Sequence, residues 1–457
     1  MSRESLPSSF RDPSGFLFQC EGSLYRQVNP CYGEEYELLM KSGLYDALVA
    51  DSLLVAHAEV PQAAPPDAFR VLKPDRVPFV SYPYEWSFGE LQAAALATLE
   101  IHRRALAHGM ALKDASAYNI QFRGSRPVLV DTLSFERLRP EEPWTAYRQF
   151  CQHFLAPLAL MSRRDVRLSQ LLRVYIDGVP LDLASELLPG RSRLSFGLLT
   201  HLHLHAKSQL RFADEGSLPP QANRKMGRYG LEALLSSLDG TVRALDWEPA
   251  GTWVDYYGHT NYTPAASSEK KRIVSEWLRD SAPSTVWDLG ANVGEFSRAA
   301  SEAGAYTIAF DSDPGAVERN YREGRERGEE RILPLVLDLT NPSGGIGWAN
   351  RERSSLEERG PADVALALAL IHHLAIGNNV PFARIAEFLA SLCGTLVIEF
   401  VPKTDSQVRR MLATREDVFA DYGVEAFEKA FARRFRTVSR FPIPESDRVL
   451  YRMRRAA

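Results

Sequence analysis

The sequence predicts an α/β chain in which a doubly wound, mostly parallel sheet fills the C-terminal half and a separate α+β domain precedes it. Three observations carry this prediction. From Thr285 onward, short apolar runs alternate with segments of helical character; a glycine-bearing turn follows the first run; and the polar, turn-rich stretch Phe212 to Asn223 sets this region apart. A length of 457 residues exceeds one ordinary core, which favours two domains. We place them at residues 1–211 and 263–457, with 212–262 as linker and aromatic cap segment.

The strands are read from the apolar runs Thr285 to Leu289, Tyr306 to Phe310, Ile332 to Leu337, Val364 to Ile371 and Thr395 to Phe400. Near-continuous apolar strands are what a parallel sheet buried on both faces requires. Helices are expected over Glu295 to Ala303, Gly315 to Arg327 and Val380 to Leu392. Phe435 to Val438 and Arg448 to Met453 supply two closing strands. In the N-terminal half we expect a hairpin (Phe16 to Val28), a helix (Glu34 to Ala50), an extended segment (Phe79 to Glu85) and a helix (Gly89 to His108).

Composition narrows the function classes. A net charge of −4 with both signs interspersed argues against a general polyanion binder, so no nucleic-acid partner is expected. The four cysteines, Cys20, Cys31, Cys151 and Cys393, lack metal-type spacing and suit a reducing compartment. The N-terminus has no apolar signal core, and no apolar run approaches the ~20 residues of a membrane span. A cytoplasmic protein without a membrane span or a metal site is the expectation. His201, His203 and His205 are expected on a solvated surface.

Chemistry concentrates after the first C-terminal strand, in Asp288-Leu-Gly290-Ala-Asn292-Val-Gly294. Glycines there permit a tight turn and close approach of a ligand, and the following helix offers unpaired N–H groups. A dinucleotide turn would need glycines at 290, 292 and 295, but the chain has Asn292 and Glu295. The second strand ends at Asp311 and the third at Asp338. Three carboxylates at successive strand ends suit a cationic ligand without phosphates; the plainer alternative is that they cap helices.

These residues resemble the first motifs of class I methyltransferases, whose Rossmann-like fold binds S-adenosylmethionine. The resemblance implies that Asp288, Gly290, Asn292 and Gly294 surround the methionine end of the cofactor, that Asp311 binds the ribose, and that Asp338 with Leu339 lies at the adenine. It covers residues ~270 to 457; the family often has a third glycine where Asn292 stands. His372 and His373 follow the fourth strand, on the acceptor side, where one would serve as general base; alternatively one caps the turn and the other packs in the core. Glu399 and Lys403, after the fifth strand, either orient a polar substrate or pair with each other. The aromatic segment Trp253 to Tyr262 is expected to close over the sulfonium through Tyr257 and Tyr262, or to clasp the domains. The polar insertion Leu339 to Arg353 is read as an acceptor-binding loop.

Asp114-x4-Asn119, followed by Asp131 after a short apolar strand, resembles the catalytic core of kinase-like phosphotransferases. The resemblance implies a proton acceptor at Asp114, Mg²⁺ on Asn119 and Asp131, and ATP. Arg26 stands where the family has its nucleotide-binding lysine, no glycine-rich phosphate loop precedes it, and Thr132 to Glu136 replaces the usual glycine motif. An active kinase, a kinase-shaped recognition domain and accidental resemblance all stay open. As a whole the chain resembles bacterial proteins with a kinase-shaped front and a methyltransferase rear, related to rhizobial nodulation methyltransferases. That implies O-methylation of a small molecule or glycan; the alternatives are a silent scaffold and a bifunctional kinase-methyltransferase.

Overall fold

The computed structural model describes residues 4–60, 67–139, 141–208, 225–249, 262–413 and 416–456. The turn-rich stretch 212–223 and most of the aromatic segment, Tyr257 included, lie outside the described residues. The chain divides into two units, Met1–Glu248 with Gly345–Arg353, and Pro249–Gly344 with Ser354–Ala457. Among the described residues no helix is long and apolar enough to cross a membrane.

The N-terminal unit begins with β1 (Glu4–Ser5), β2 (Gly15–Cys20), β3 (Ser23–Val28), β4 (His57–Glu59) and β5 (Arg70–Pro74), an antiparallel sheet of order β1-β2-β3-β5-β4. The expected single helix after β3 is two, Gly33–Lys41 and Leu44–Ala50, because the left-handed Gly43 (φ 80°) ends the first. Helix Phe88–Ala107 starts at a capping box: Ser87 Oγ accepts from Glu90 N, and Glu90 Oε2 accepts from Ser87 N at 2.8 Å. Four short strands follow, β6 (Met110–Leu112), β7 (Ile120–Arg123), β8 (Arg126–Leu129) and β9 (Phe135–Arg137), paired β6 with β9 and β7 with β8.

One expectation fails here. His201, His203 and His205 are buried, not solvated, because the segment is helical rather than extended. His201 bonds the Tyr147 and Ser237 hydroxyls, His203 those of Ser185 and Ser192, and His205 stacks on Tyr147 at 4.9 Å. Burial lowers the pKa of all three, His201 to about 4, so they sit in the core as neutral hydrogen-bonding groups. Segment Gly345–Arg353, inside the predicted acceptor loop, belongs to this unit: buried Glu352 accepts from Arg11 at 2.6 Å, and Arg353 lies 4.3 Å over the Tyr118 ring.

The C-terminal unit holds β10 (Thr285–Leu289), β11 (Tyr306–Asp311), β12 (Ile332–Val336), β13 (Ala362–Ala367), β14 (Cys393–Phe400), β15 (Phe435–Pro442) and β16 (Val449–Arg455). Their order is β12-β11-β10-β13-β14-β16-β15, parallel except that β16 runs antiparallel to β14 and β15. That order winds the chain to both sides of β10 and closes the sheet with an antiparallel pair. Helix Pro264–Ser281 puts Ala266, Ile273, Val274, Trp277 and Leu278 on one stripe, packed against Val286, Val364, Leu366, Val397 and Leu450. The strands match the expected runs within a residue or two, save two: β15 continues past Val438 to Pro442, and β13 stops at Ala367, where left-handed Ala369 (φ 51°) turns the chain so that His372 is helical.

Candidate functional site

The direction of strand addition reverses between β10 and β13, which opens a crevice beyond their carboxyl ends. The turn after β10 fills it. Gly290 (φ 80°), Asn292 (φ 50°) and Gly294 (φ 84°) are all left-handed. Asparagine tolerates that conformation better than other side chains, which explains how Asn292 replaces a third glycine. Gly294 also has no room for a side chain, since a Cβ would lie 2.5 Å from the Asn320 amide. Helix Glu295–Glu302 follows directly, with its first N–H groups toward the turn.

Asp311, at the end of β11, accepts from Asn292 N at 2.8 Å through Oδ2 and from Asp313 N at 2.9 Å through Oδ1. Each oxygen keeps a further lone pair, as two ribose hydroxyls would need. Burial raises its pKa, against the lowering effect of the Asp313 and Asn292 N–H groups. Asp288 is buried and accepts from Ser297 Oγ at 2.6 Å. Burial, with Asp311 adding to it, pushes its pKa up to about 7, which a cationic ligand would reverse. Asp338 lies beyond β12 and is exposed, its Oδ1 accepting from the Thr340 N–H and hydroxyl at 2.8 and 2.7 Å, with Leu339 half-buried beside it.

On the other side of the crevice, His372 is buried and its Nδ1 has no hydrogen-bond partner among the described residues; the His373 ring lies 4.3 Å away. Burial lowers both pKa values, His372 strongly, so both rings are neutral near pH 7. Behind them stands a buried ionic network. Glu399 accepts from Lys270 Nζ at 2.7 Å, from Arg448 at 3.3 Å, from the Tyr262 hydroxyl and from Ala369 N at 2.9 Å. Arg448 also donates to Asp405 at 2.9 Å. Burial opposes ionisation of Glu399, but Lys270 and Arg448 outweigh it and hold its pKa at about 2. The Tyr262 ring is faced by Lys270 and Arg448 at 4.8 and 4.6 Å. Glu399 does not pair with Lys403, which bonds Asp417 at 2.8 Å near the surface.

Sequence reasoning missed Lys270, Arg448, Ala369 and Ser297. Lys270 alone left a trace: it interrupts the apolar stripe of its helix between Ala266 and Ile273, and a lysine there demands a buried partner. Arg448 and Ala369 are set by contacts remote in sequence.

In the N-terminal unit, Asp114, Asn119 and Asp131 do converge. Asp114 accepts from Ser116 N at 2.9 Å and Gln149 Nε2 at 2.8 Å; burial, then Asp131, raises its pKa. Asn119 Nδ2 donates to Ser134 Oγ at 3.4 Å, and Ser134 Oγ donates to Asp131 at 2.6 Å. Arg26, on β3, forms an ion pair with Asp131.

No family model matches this chain. Among solved structures it is similar to the N-methyltransferase NodS from Bradyrhizobium japonicum WM9 with S-adenosyl-l-homocysteine, at 16% identity over 43% of this chain and 90% of that one, TM-score 0.32. Magnesium protoporphyrin IX methyltransferase (ChlM) from Synechocystis PCC 6803 matches at 18% identity over 42% and 84%, TM-score 0.31. The bifunctional kinase-methyltransferase WbdD matches at 16% identity over 42% and 40%, TM-score 0.29. Over the whole chain the likeness is to the nodulation protein NoeA of Rhizobium meliloti (strain 1021): 37% identity over 456 residues, 98% of this chain and 95% of that protein. By that end-to-end likeness, the chain belongs to the NoeA family of nodulation proteins.

Proposed function

We propose that the protein is an S-adenosylmethionine-dependent methyltransferase acting on a hydroxyl of a small-molecule or glycan acceptor, with a kinase-shaped N-terminal domain. The observation that carries this is the pairing, at the switch point of the sheet, of Asp288 and Asp311 with the left-handed turn Gly290 to Gly294. Asp311 would hold the ribose and Asp288 the methionine end; Asp338 and Leu339, by their place after β12, would lie at the adenine. The bound cofactor supplies an electrophilic methyl group, so the protein's work is alignment and proton removal. Neutral His372 suits proton removal: its buried Nδ1 has no partner among the described residues. Glu399 acts as a positioning residue by holding the Ala369 N–H, which fixes the left-handed turn leading to both histidines.

The kinase-shaped reading is supported by the five-stranded sheet followed by helix Phe88–Ala107 and by the convergence of Asp114, Asn119 and Asp131.

Calorimetric titration with S-adenosylmethionine tests the proposal, and its pH dependence tests the site. The cationic cofactor favours ionised Asp288, so binding should release a proton below pH 7. Affinity is expected to rise about tenfold from pH 6 to pH 8, then level off, because the free carboxyl titrates near 7. Asp288→Asn should flatten this profile. The same carboxyl, raised in the folded state, contributes stability fully below its ordinary value near 4 and loses it as pH rises through about 7. No binding at any pH would remove the proposal.

His372→Ala is expected to lower kcat by about 100-fold in labelled-methyl transfer to hydroxyl acceptors, with cofactor affinity unchanged. The wild-type rate should show no inflection from His372 near pH 6.5, since burial keeps that ring neutral well below it. An unchanged kcat would leave His372 a packing residue.

A further inference from the structure

The kinase-like resemblance implies a divalent cation held by Asn119 and Asp131, and the side chains around those residues do not fit one. Asp131 Oδ1 takes the Arg26 guanidinium and the Leu133 N–H (3.2 Å), and Oδ2 takes the Ser134 hydroxyl (2.6 Å). Three of about four lone-pair positions are therefore filled from within the chain. Asn119 Nδ2 donates to Ser134 Oγ, the same hydroxyl that serves Asp131, so only its Oδ1 is left to face an ion. Asp114 Oδ1 accepts from both Ser116 N and Gln149 Nε2. Among the described residues, no three His, Cys, Asp or Glu side chains are grouped to hold a metal.

Charge completes the argument. Arg26 and Asp131 side chains are each only 12% exposed, so their attraction is little screened by water. A guanidinium does not deprotonate at any physiological pH, unlike a lysine that could yield its charge. A divalent ion on Asp131 would meet a fixed positive charge on the same carboxylate and would have to displace it. Lys113 adds a second cation close by, its Nζ 2.8 Å from Ser14 Oγ and 4.7 Å over the Tyr32 ring.

We infer that Arg26 is a built-in counter-cation that takes the place of the divalent ion, so that the N-terminal unit is a metal-independent module and not a phosphotransferase. The inference rests on the kinase-shaped reading of this unit. It predicts a latent metal site: removing the guanidinium, while keeping Asp131 and Asn119, should create one.

The test measures Mn²⁺ binding by loss of the free-ion electron paramagnetic resonance signal, with and without ATP, on the full chain. Wild type is compared with Arg26→Ala, Arg26→Gln, and Arg26→Gln combined with Asp131→Asn; thermal unfolding checks each fold, and the glutamine can still donate to Asp131 if alanine fails to fold. The expected result is no binding by wild type up to millimolar Mn²⁺, at least tenfold tighter binding in Arg26→Gln, and loss of that gain with Asp131→Asn. Submillimolar Mn²⁺ binding by wild type would overturn the inference while leaving the kinase-shaped reading standing. No binding by any folded variant would overturn both, because the cluster would then hold no latent site.

Discussion

Asp311→Ala is expected to weaken binding of S-adenosylmethionine by at least about 100-fold. Two hydrogen bonds from ribose hydroxyls to a carboxylate are each worth about 1.5 kcal/mol or more, and both are lost together. The affected part of the cofactor can be read directly. Free adenosine, which has the ribose but lacks the methionine end, should lose affinity in Asp311→Ala and keep it in Asp288→Asn. The opposite pattern would reverse the roles assigned to the two carboxylates. Because Asp311 also accepts from Asn292 N and Asp313 N, the unfolding temperature of the variant must be compared first; a collapsed glycine turn would lower affinity for every ligand alike.

Glu399→Ala should produce the largest loss of stability in the C-terminal unit. Glu399 is fully buried, and its removal leaves Lys270 and Arg448 as buried cations short of one carboxylate, at a cost of about 3–5 kcal/mol. For a unit of this size that corresponds to a fall of about 10 °C in Tm. Glu399→Gln preserves volume and the acceptor for Ala369 N, so a smaller loss is expected. The pH dependence has the opposite sign to that of Asp288. A carboxyl held at about 2 in the folded protein contributes stability that is complete above its ordinary value near 4.5 and is lost as pH falls through 2. Acid unfolding of Glu399→Gln should lack this contribution between pH 4.5 and pH 2. Equal acid profiles for wild type and variant would mean that the network is not ionic.

The two predictions concern residues of very different legibility. Asp311 could be named from the sequence because its role follows from local order: an apolar run ends, a carboxylate stands at its edge, and a capped helix begins at Asp313 and Pro314. Glu399 could be noticed but not understood, because its partners lie 129, 137 and 49 positions away in Lys270, Tyr262 and Arg448. Of the two readings left open for Glu399 and Lys403, their mutual pairing does not occur, since that lysine, four residues on, has left the strand and meets Asp417. The three histidines from His201 to His205, expected on a solvated surface, are buried for a related reason: their partners Tyr147, Ser185, Ser192 and Ser237 are brought to them by packing.

By itself, the sequence determined the strands of the C-terminal sheet, the glycine turn after the first strand and the two carboxylates beside it, since burial on both faces and left-handed backbone leave a signature within a few residues. Tertiary structure alone decided where the fourth strand stops, which cations neutralise Glu399, and that Arg26 meets Asp131 across 105 residues. The physical reason is the same in each case. Secondary structure follows from local period and backbone freedom, whereas the partner of a buried charge is chosen by whichever chain segments the fold brings together, and its energy is set by how completely they exclude water.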